Sequence, residues 1–280
     1  MTSQKKNILL IHSSNDLYGA SKIFLQLIDL FIPNDFNVHV VLPEKGKLDD
    51  FLIKKDITIS YHELGVLRKK YLNPLGLINR LVSNIKAIKF LSNYIKNHSI
   101  DLVYTNTSTV LCGGIAAKKN DVSSIFHIHE IPTGNRLYEF FSGKIINRYS
   151  SKVLTVSNSV KKHWLKNINE NKIKRIYNGI ILIESDSIIK LERDQDNFVI
   201  SSVARIIPYK GHRYLIEIAD ELLKKSPKYR FLIVGDTLPS YVSYEKSVKQ
   251  KVKDLGLENE IKFLGFRNEV SSVLKQSDLF

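Results

Sequence analysis

The sequence has one cysteine, Cys112, one tryptophan and one methionine. A single thiol excludes a disulfide framework and a cysteine-held metal site, and it points to a reducing compartment. No run approaches the roughly 20 consecutive apolar residues of a membrane-spanning helix. Met1–Lys6 leads into a strand-like segment without a signal-peptide core. The expectation is a cytoplasmic protein, with any membrane contact peripheral, on the inner face of the plasma membrane. Common nucleotide and hydrolase signatures are missing too: there is no GxGxxG with its acidic partner, no Walker A sequence and no GxSxG elbow. No cofactor is expected. No His, Asp or Glu cluster has ligand spacing, so no metal is expected either.

Acidic residues are also missing from one long stretch. Between Leu64 and Ile100 the chain carries Arg68, Lys69, Lys70, Arg80, Lys86, Lys89 and Lys96 with no Asp or Glu. The net charge of +14 is concentrated accordingly, with +13 in residues 1–180 and +1 in residues 181–280. A one-sided basic surface attracts anionic lipid or nucleic acid. No aromatic-basic platform accompanies it, so nucleic acid ranks last as a partner. An anionic membrane facing Arg68, Lys69, Lys70, Arg80, Lys86 and Lys89 is the better expectation. Against it, the apolar face of Leu75–Ile95 is expected to pack on its own sheet.

At 280 residues the chain favours two domains. Short β-rich apolar runs alternate with segments of helical period. Strands are expected at Lys6–Ile11, Val38–Leu42, Ile57–Tyr61, Asp101–Thr105, Ser124–His129, Lys152–Val156 and Lys174–Tyr177. Helices are expected at Ala20–Phe31, Leu75–Ile95, Thr109–Lys119, Leu137–Tyr149 and Ser159–Asn167. This order predicts a doubly wound parallel sheet over residues 1–183. Residues 184–197, rich in Asp, Glu and Ser, read as a linker. A second alternating series follows over residues 198–280: strands Phe198–Val203, Phe231–Val234 and Ile261–Leu264, with helices Tyr214–Lys225, Tyr244–Leu255 and Glu269–Gln276. Asp278-Leu279-Phe280 reads as the opening of a further buried strand, so this domain is expected to be incomplete.

Several strand ends carry chemistry. After Phe198–Val203 comes Arg205-Ile206-Ile207-Pro208-Tyr209-Lys210-Gly211, then a helix. Ligands of open parallel sheets bind beyond the carboxyl ends of strands, and a helix N-terminus attracts anions. Arg205 and Lys210 add two charges, a fork and a point, which together suit a diphosphate. Val234-Gly235-Asp236 and Gly265-Phe266 end two further strands at the same edge and could hold a nucleoside, though each could equally be turn chemistry. In the first domain, His127 and His129 share a face by strand alternation. His129 and Glu130 lie at the carboxyl end, where a hydrogen-bonding role on substrate is the better reading. His127 reads as a buried histidine satisfied by backbone. Gly19 opens the first helix, where glycine permits a backbone shape or a close ligand approach that a Cβ would block. Gly113-Gly114, inside a helix, reads as tight helix–sheet packing.

Taken in order, these segments resemble the family-four glycosyltransferases of the GT-B architecture, two Rossmann-like domains. The likeness runs from Tyr18-Gly19-Ala20-Ser21 through Asp101–Asn106, Phe126–Glu130, Val156–Val160 and Ile176–Ile180. It continues through Ala204–Gly211, Ile233–Asp236 and Phe263–Phe266. The resemblance implies a sugar transferred from a nucleotide-sugar donor, with retention of configuration and without a metal, to a lipid-linked or polysaccharide acceptor in cell-envelope glycan synthesis. It implies that Arg205, Lys210 and Gly211 bind the donor diphosphate and that Gly19 lets backbone N–H groups approach it. His129, beside Glu130, would contact the donor sugar. The family's paired-glutamate motif follows the strand that begins at Asp278, and the sequence ends before it. The 280-residue chain alone is therefore expected to have little or no transferase activity. The alternative expectation is a non-catalytic nucleotide-sugar-binding or partner subunit.

Overall fold

The computed structural model describes residues 5–67, 71, 73–132, 136–179, 196–267 and 269–280. They divide at Gly179 into two compact units. The expected linker falls almost wholly outside the described residues.

The first unit is built on a seven-stranded parallel sheet. Its strands are β1 (Lys6–Ile11), β2 (Phe36–Leu42), β3 (Thr58–Tyr61), β4 (Leu102–Thr105), β5 (Ser123–Ile128), β6 (Lys152–Thr155) and β7 (Ile173–Arg175). Their spatial order is β3-β2-β1-β4-β5-β6-β7. Ile8, Leu9, Leu10 and Ile11 of β1 are all fully buried, as a strand covered on both faces must be. Alternation sends them to opposite layers. Leu9 and Ile11 pack with Leu91, Ile95, Val103 and Ala116, while Ile8 and Leu10 pack with Phe24, Ile28, Val40 and Tyr104. Each such side chain is worth about 1.5–3 kcal/mol of burial, so register is strongly specified.

Helices α1 (Gly19–Phe31), α2 (Asp49–Ile53), α3 (Pro74–Asn97), α4 (Cys112–Lys119), α5 (Arg136–Tyr149) and α6 (Asn158–Trp164) join these strands. The short α2 was not expected. The Gly113-Gly114 reading holds: a Cβ at Gly113 would lie 2.5 Å from Thr105 Oγ1, and one at Gly114 would lie 2.6 Å from the Phe126 ring.

Two expectations about α3 fail together. Only its second half packs as predicted, through Ala87, Leu91, Tyr94 and Ile95. In the first half Leu75 is 80% exposed, and Leu77, Ile78, Leu81, Val82 and Ile85 are also exposed. Arg80 takes the inward position instead, 8% exposed. Its guanidinium donates to Glu63 Oε1 at 2.7 Å and lies 4.1 Å from the centre of the Tyr71 ring. Arg80 is therefore not a membrane-facing cation. Lys86 and Lys89 are exposed, and Arg68, Lys69 and Lys70 lie outside the described residues. Periodicity predicts an apolar face but not which way that face turns.

The second unit carries β8 (Phe198–Val203), β9 (Tyr229–Val234) and β10 (Ile261–Gly265), with α7 (His212–Lys225), α8 (Val242–Asp254) and α9 (Val270–Lys275). The sheet is parallel, in the order β10-β9-β8. Leu279 makes a parallel bridge to Ile200, so the strand-like reading of Asp278-Leu279-Phe280 has a counterpart beside β8. Phe231, Ile233 and Ile216 fill one layer, and Val199, Leu232, Val234 and Val273 fill the other.

Candidate functional site

In the second unit, the loops after β8, β9 and β10 are tied at their carboxyl ends by backbone bonds. Ile206 N donates to Asp236 O at 2.8 Å and Gly235 N to Gly265 O at 2.8 Å. The Thr237 hydroxyl donates to Ile206 O at 2.7 Å. Gly235 is required here. Its φ is +144°, and a Cβ would sit 2.1 Å from Ala204 O, so the β9 end could not approach the β8 end with any side chain. Arg205 is half-buried on this loop, and Lys210 is exposed at the end of a 3₁₀ turn, Pro208–Lys210. Gly211 reverses the chain with φ +74°, and α7 then starts without a side-chain cap. Two cations and an uncapped helix start thus lie within one loop, as the sequence predicts, with α7 beginning two residues earlier than read. Gly265 (φ +68°) closes β10, and Phe266 is exposed after it. His212 was not foreseen. It is fully buried in the first turn of α7, and burial lowers its pKa.

In the first unit, the strand order reverses between β1 and β4, the place where open α/β sheets bind ligands. β5 ends at Ile128, so His129 stands just past the strand. Its ring lies 4.2 Å from that of His127, on the shared face. His127 is held by a side chain rather than backbone: its Nδ1 lies 3.0 Å from the Tyr104 hydroxyl, while its buried Nε2 meets no partner among the described residues. Glu130 turns inward. Its Oε1 accepts from Ser108 N at 2.8 Å, Ser108 Oγ at 2.6 Å and Thr107 Oγ1 at 3.1 Å, and its Oε2 accepts from His129 N at 3.1 Å. The carboxylate anchors the turn after β4 and fixes the backbone of His129.

His129 Nε2 lies 2.8 Å from Asn106 Oδ1. Asn106 Nδ2 in turn reaches Ala20 O at 3.1 Å and His12 Nδ1 at 3.3 Å. The His12 Nε2 lies 3.0 Å from Ser21 Oγ, which donates to Asp16 Oδ1 at 2.7 Å. Burial, more than any other cause, lowers the pKa of His12 to about 4 and that of His127 to about 3; it lowers His129 as well. Burial thus favours the neutral form of all three rings. Gly19 stands at the exposed start of α1, without a positive φ, and a side chain there would meet nothing within 4 Å of its Cβ. This unit itself therefore makes no steric demand for glycine at that position.

Sequence reasoning gave no role to His12, Asp16, Ser21, Asn106 or Ser108, although Ser21 and Asn106 stand in segments that carry the resemblance. The available signal was position: His12 and Asn106 are polar residues immediately beyond the apolar runs of β1 and β4, in neighbouring strands.

A family model described as Glycosyltransferase Family 4 matches residues 18–182, and one described as Glycosyl transferases group 1 matches residues 184–280. The chain is 25% identical to the Escherichia coli UDP-Gal:alpha-D-GlcNAc-diphosphoundecaprenol alpha-1,3-galactosyltransferase, over 94% of this chain and 70% of that protein. It is 27% identical to an uncharacterized glycosyltransferase of Haemophilus influenzae, over 72% of this chain and 57% of that relative. Among solved structures, Anabaena HepE in complex with UDP and glucose superposes with a TM-score of 0.77 at 24% identity, covering 97% of this chain and 73% of that one. A Rickettsia africae glycosyltransferase superposes with a TM-score of 0.74 at 20% identity, covering 98% and 72%. At these identities the structural likeness establishes the fold.

Proposed function

Because this chain belongs to glycosyltransferase family 4, and its two units are those of the GT-B fold, we propose that it takes a UDP-sugar donor and serves transfer to a lipid-linked acceptor in cell-envelope glycan synthesis. The observation that carries this reading is the Arg205–Gly211 loop, where two cations precede a helix start at the carboxyl end of β8. In the proposed reaction the bond between the sugar and the diphosphate breaks, and its electron pair leaves with the diphosphate. Arg205 and Lys210 offset that charge, the kind of electrostatic support that usually dominates catalysis, and no metal is invoked. The acceptor oxygen bonds to the sugar carbon that the diphosphate leaves, its proton passes to the departing diphosphate, and configuration is retained. Gly235, Asp236, Gly265 and Phe266 border the nucleoside. His129, held through Glu130, meets the donor sugar, and the open space at Gly19 admits phosphate oxygens to the start of α1. A donor of this kind and a diphosphate-linked lipid acceptor are also what the E. coli relative's name describes.

Calorimetric titration of UDP and UDP-galactose tests the donor reading. Arg205→Ala and Lys210→Ala should each weaken UDP at least tenfold, while Lys246→Ala, on α8, should not. Unchanged affinity in both loop variants defeats the assignment. Donor binding with no transfer to any lipid-linked acceptor would favour the non-catalytic binding subunit.

A second observation supports a membrane. The first half of α3 turns Leu75, Ile78, Leu81, Val82 and Ile85 outward beside Lys86 and Lys89. An apolar strip edged with lysines suits the surface of an anionic bilayer, and no helix among the described residues is long and apolar enough to cross one. In vesicle flotation the chain should bind phosphatidylglycerol vesicles over phosphatidylcholine vesicles, and Leu81→Glu with Ile85→Glu should abolish it. Equal binding to both compositions sinks this reading.

A further inference from the structure

The polar chain behind His129 has a direction, and that direction can be derived from its ends. Ala20 O can only accept a hydrogen bond, so the Asn106 atom 3.1 Å from it is the amide nitrogen. The carbonyl of Asn106 then faces His129, and His129 Nε2, 2.8 Å away, must carry the proton. The second amide hydrogen of Asn106 points at His12 Nδ1, 3.3 Å away, which must be the bare nitrogen. His12 therefore holds its proton on Nε2 and donates it to Ser21 Oγ at 3.0 Å. Ser21 keeps its own hydrogen for Asp16 Oδ1 at 2.7 Å. The Asp16 carboxylate, like Ala20 O, only accepts. Starting from either end gives the same order of donors. Reversing the asparagine would set two acceptors against each other at Ala20, and reversing His12 would leave Ser21 one hydrogen for two acceptors.

We propose that Asn106 is the positioning residue that fixes His129 as its Nε2–H tautomer, leaving Nδ1 as an acceptor that reads a hydroxyl of the bound sugar. This rests on the reading above that His129 meets the donor sugar, and it adds the polarity of that contact. A bare imidazole nitrogen takes a hydrogen bond from a hydroxyl and repels a phosphate oxygen, which has no proton to give. The ring therefore contributes to sugar recognition and not to the diphosphate grip. The same asparagine holds the carbonyl of Ala20, one residue after Gly19, so the sugar-reading ring and the start of α1 are set by one side chain. Buried polar groups of this kind discriminate strongly against ligands that leave them unpaired.

The test is a histidine-selective ¹⁵N nuclear magnetic resonance spectrum of the full chain at pH 7.5. His129 should show a pyrrole-type Nε2 and a bare, pyridine-type Nδ1, and His12 should show the same pattern. A protonated Nδ1 on His129 in the wild-type protein overturns the inference, with no variant needed. Asn106→Ala should mix the His129 tautomers; an unchanged pattern also overturns it. In titrations, Asn106→Ala should reduce the preference for UDP-galactose over UDP about tenfold, and an unchanged preference overturns the inference. If His129 has the expected tautomer but His129→Ala does not alter that preference, the reading that His129 meets the sugar fails, and with it the proposed hydroxyl contact.

Discussion

Acid should unfold the first unit earlier than its carboxylates alone would dictate, because His12 is buried neutral. It is 1% exposed, and burial holds its pKa at about 4 against 6.5 for the free side chain. Above pH 6.5 the folded and unfolded chains both carry a neutral ring, and stability is fully retained. As pH falls through 6.5, the unfolded chain takes up a proton that the folded one refuses, and stability is lost until pH passes about 4. At about 1.4 kcal/mol per unit, the gap amounts to about 3 kcal/mol from this one side chain, a large share of a typical domain's stability. His127, at about 3, extends the loss further down. Urea unfolding at pH 7, 6, 5 and 4.5 measures this directly. Trp164 is the sole tryptophan and is fully buried in the first unit, so its fluorescence reports that unit alone. The control is His12→Gln, which keeps a polar side chain but cannot titrate. Between pH 6.5 and 4 the wild type should lose about 1.4 kcal/mol per pH unit more than the variant. Parallel curves would refute the reasoning, since they would mean that His12 protonates without penalty.

Other perturbations have equally definite outcomes. Gly235→Ala combines a φ of +144° with a Cβ 2.1 Å from a backbone carbonyl. It should destabilise the second unit by on the order of 3 kcal/mol, and an unchanged thermal midpoint would show that the carbonyl yields freely. Gly114→Ala sets a Cβ 2.6 Å from the Phe126 ring and 3.1 Å from Tyr149 O. It should cost about 1–3 kcal/mol in the urea assay, and no loss would mean that α4 can lift from the sheet. Cys112 is fully buried, and burial pushes its thiol up to about 12. Ellman's reagent should titrate one thiol only after denaturation, so prompt native reaction would contradict the burial.

Much of the fold was legible because its signals are local. The run Ile8–Ile11 predicts a doubly covered strand, and Gly235-Asp236 and Gly211 mark strand and helix ends from their own neighbourhoods. The Arg205–Gly211 loop was legible for the same reason: strand, cations, glycine and helix follow one another within a dozen residues. The His129 surroundings were not, because His12 and Asn106 are 94 residues apart and meet only through the β1–β4 pairing. Arg80 shows a different limit. Its spacing with Leu77, Ile78 and Leu81 gives a two-sided helix, but only the placement of Glu63 and Tyr71 decides that arginine, not leucine, faces inward.

The chain from Asp16 to His129 hangs from the ends of β1, β4 and β5, consecutive strands in the middle of the sheet. Asn106 N itself donates to Ile11 O at 2.9 Å. Amides so placed exchange with solvent only when the whole unit opens, so their protection should match its global unfolding free energy. The sugar contact proposed for His129 would thus rest on the part of the unit that opens last. Variation in the outer helices and loops can then retune what approaches the ring without disturbing how it is held.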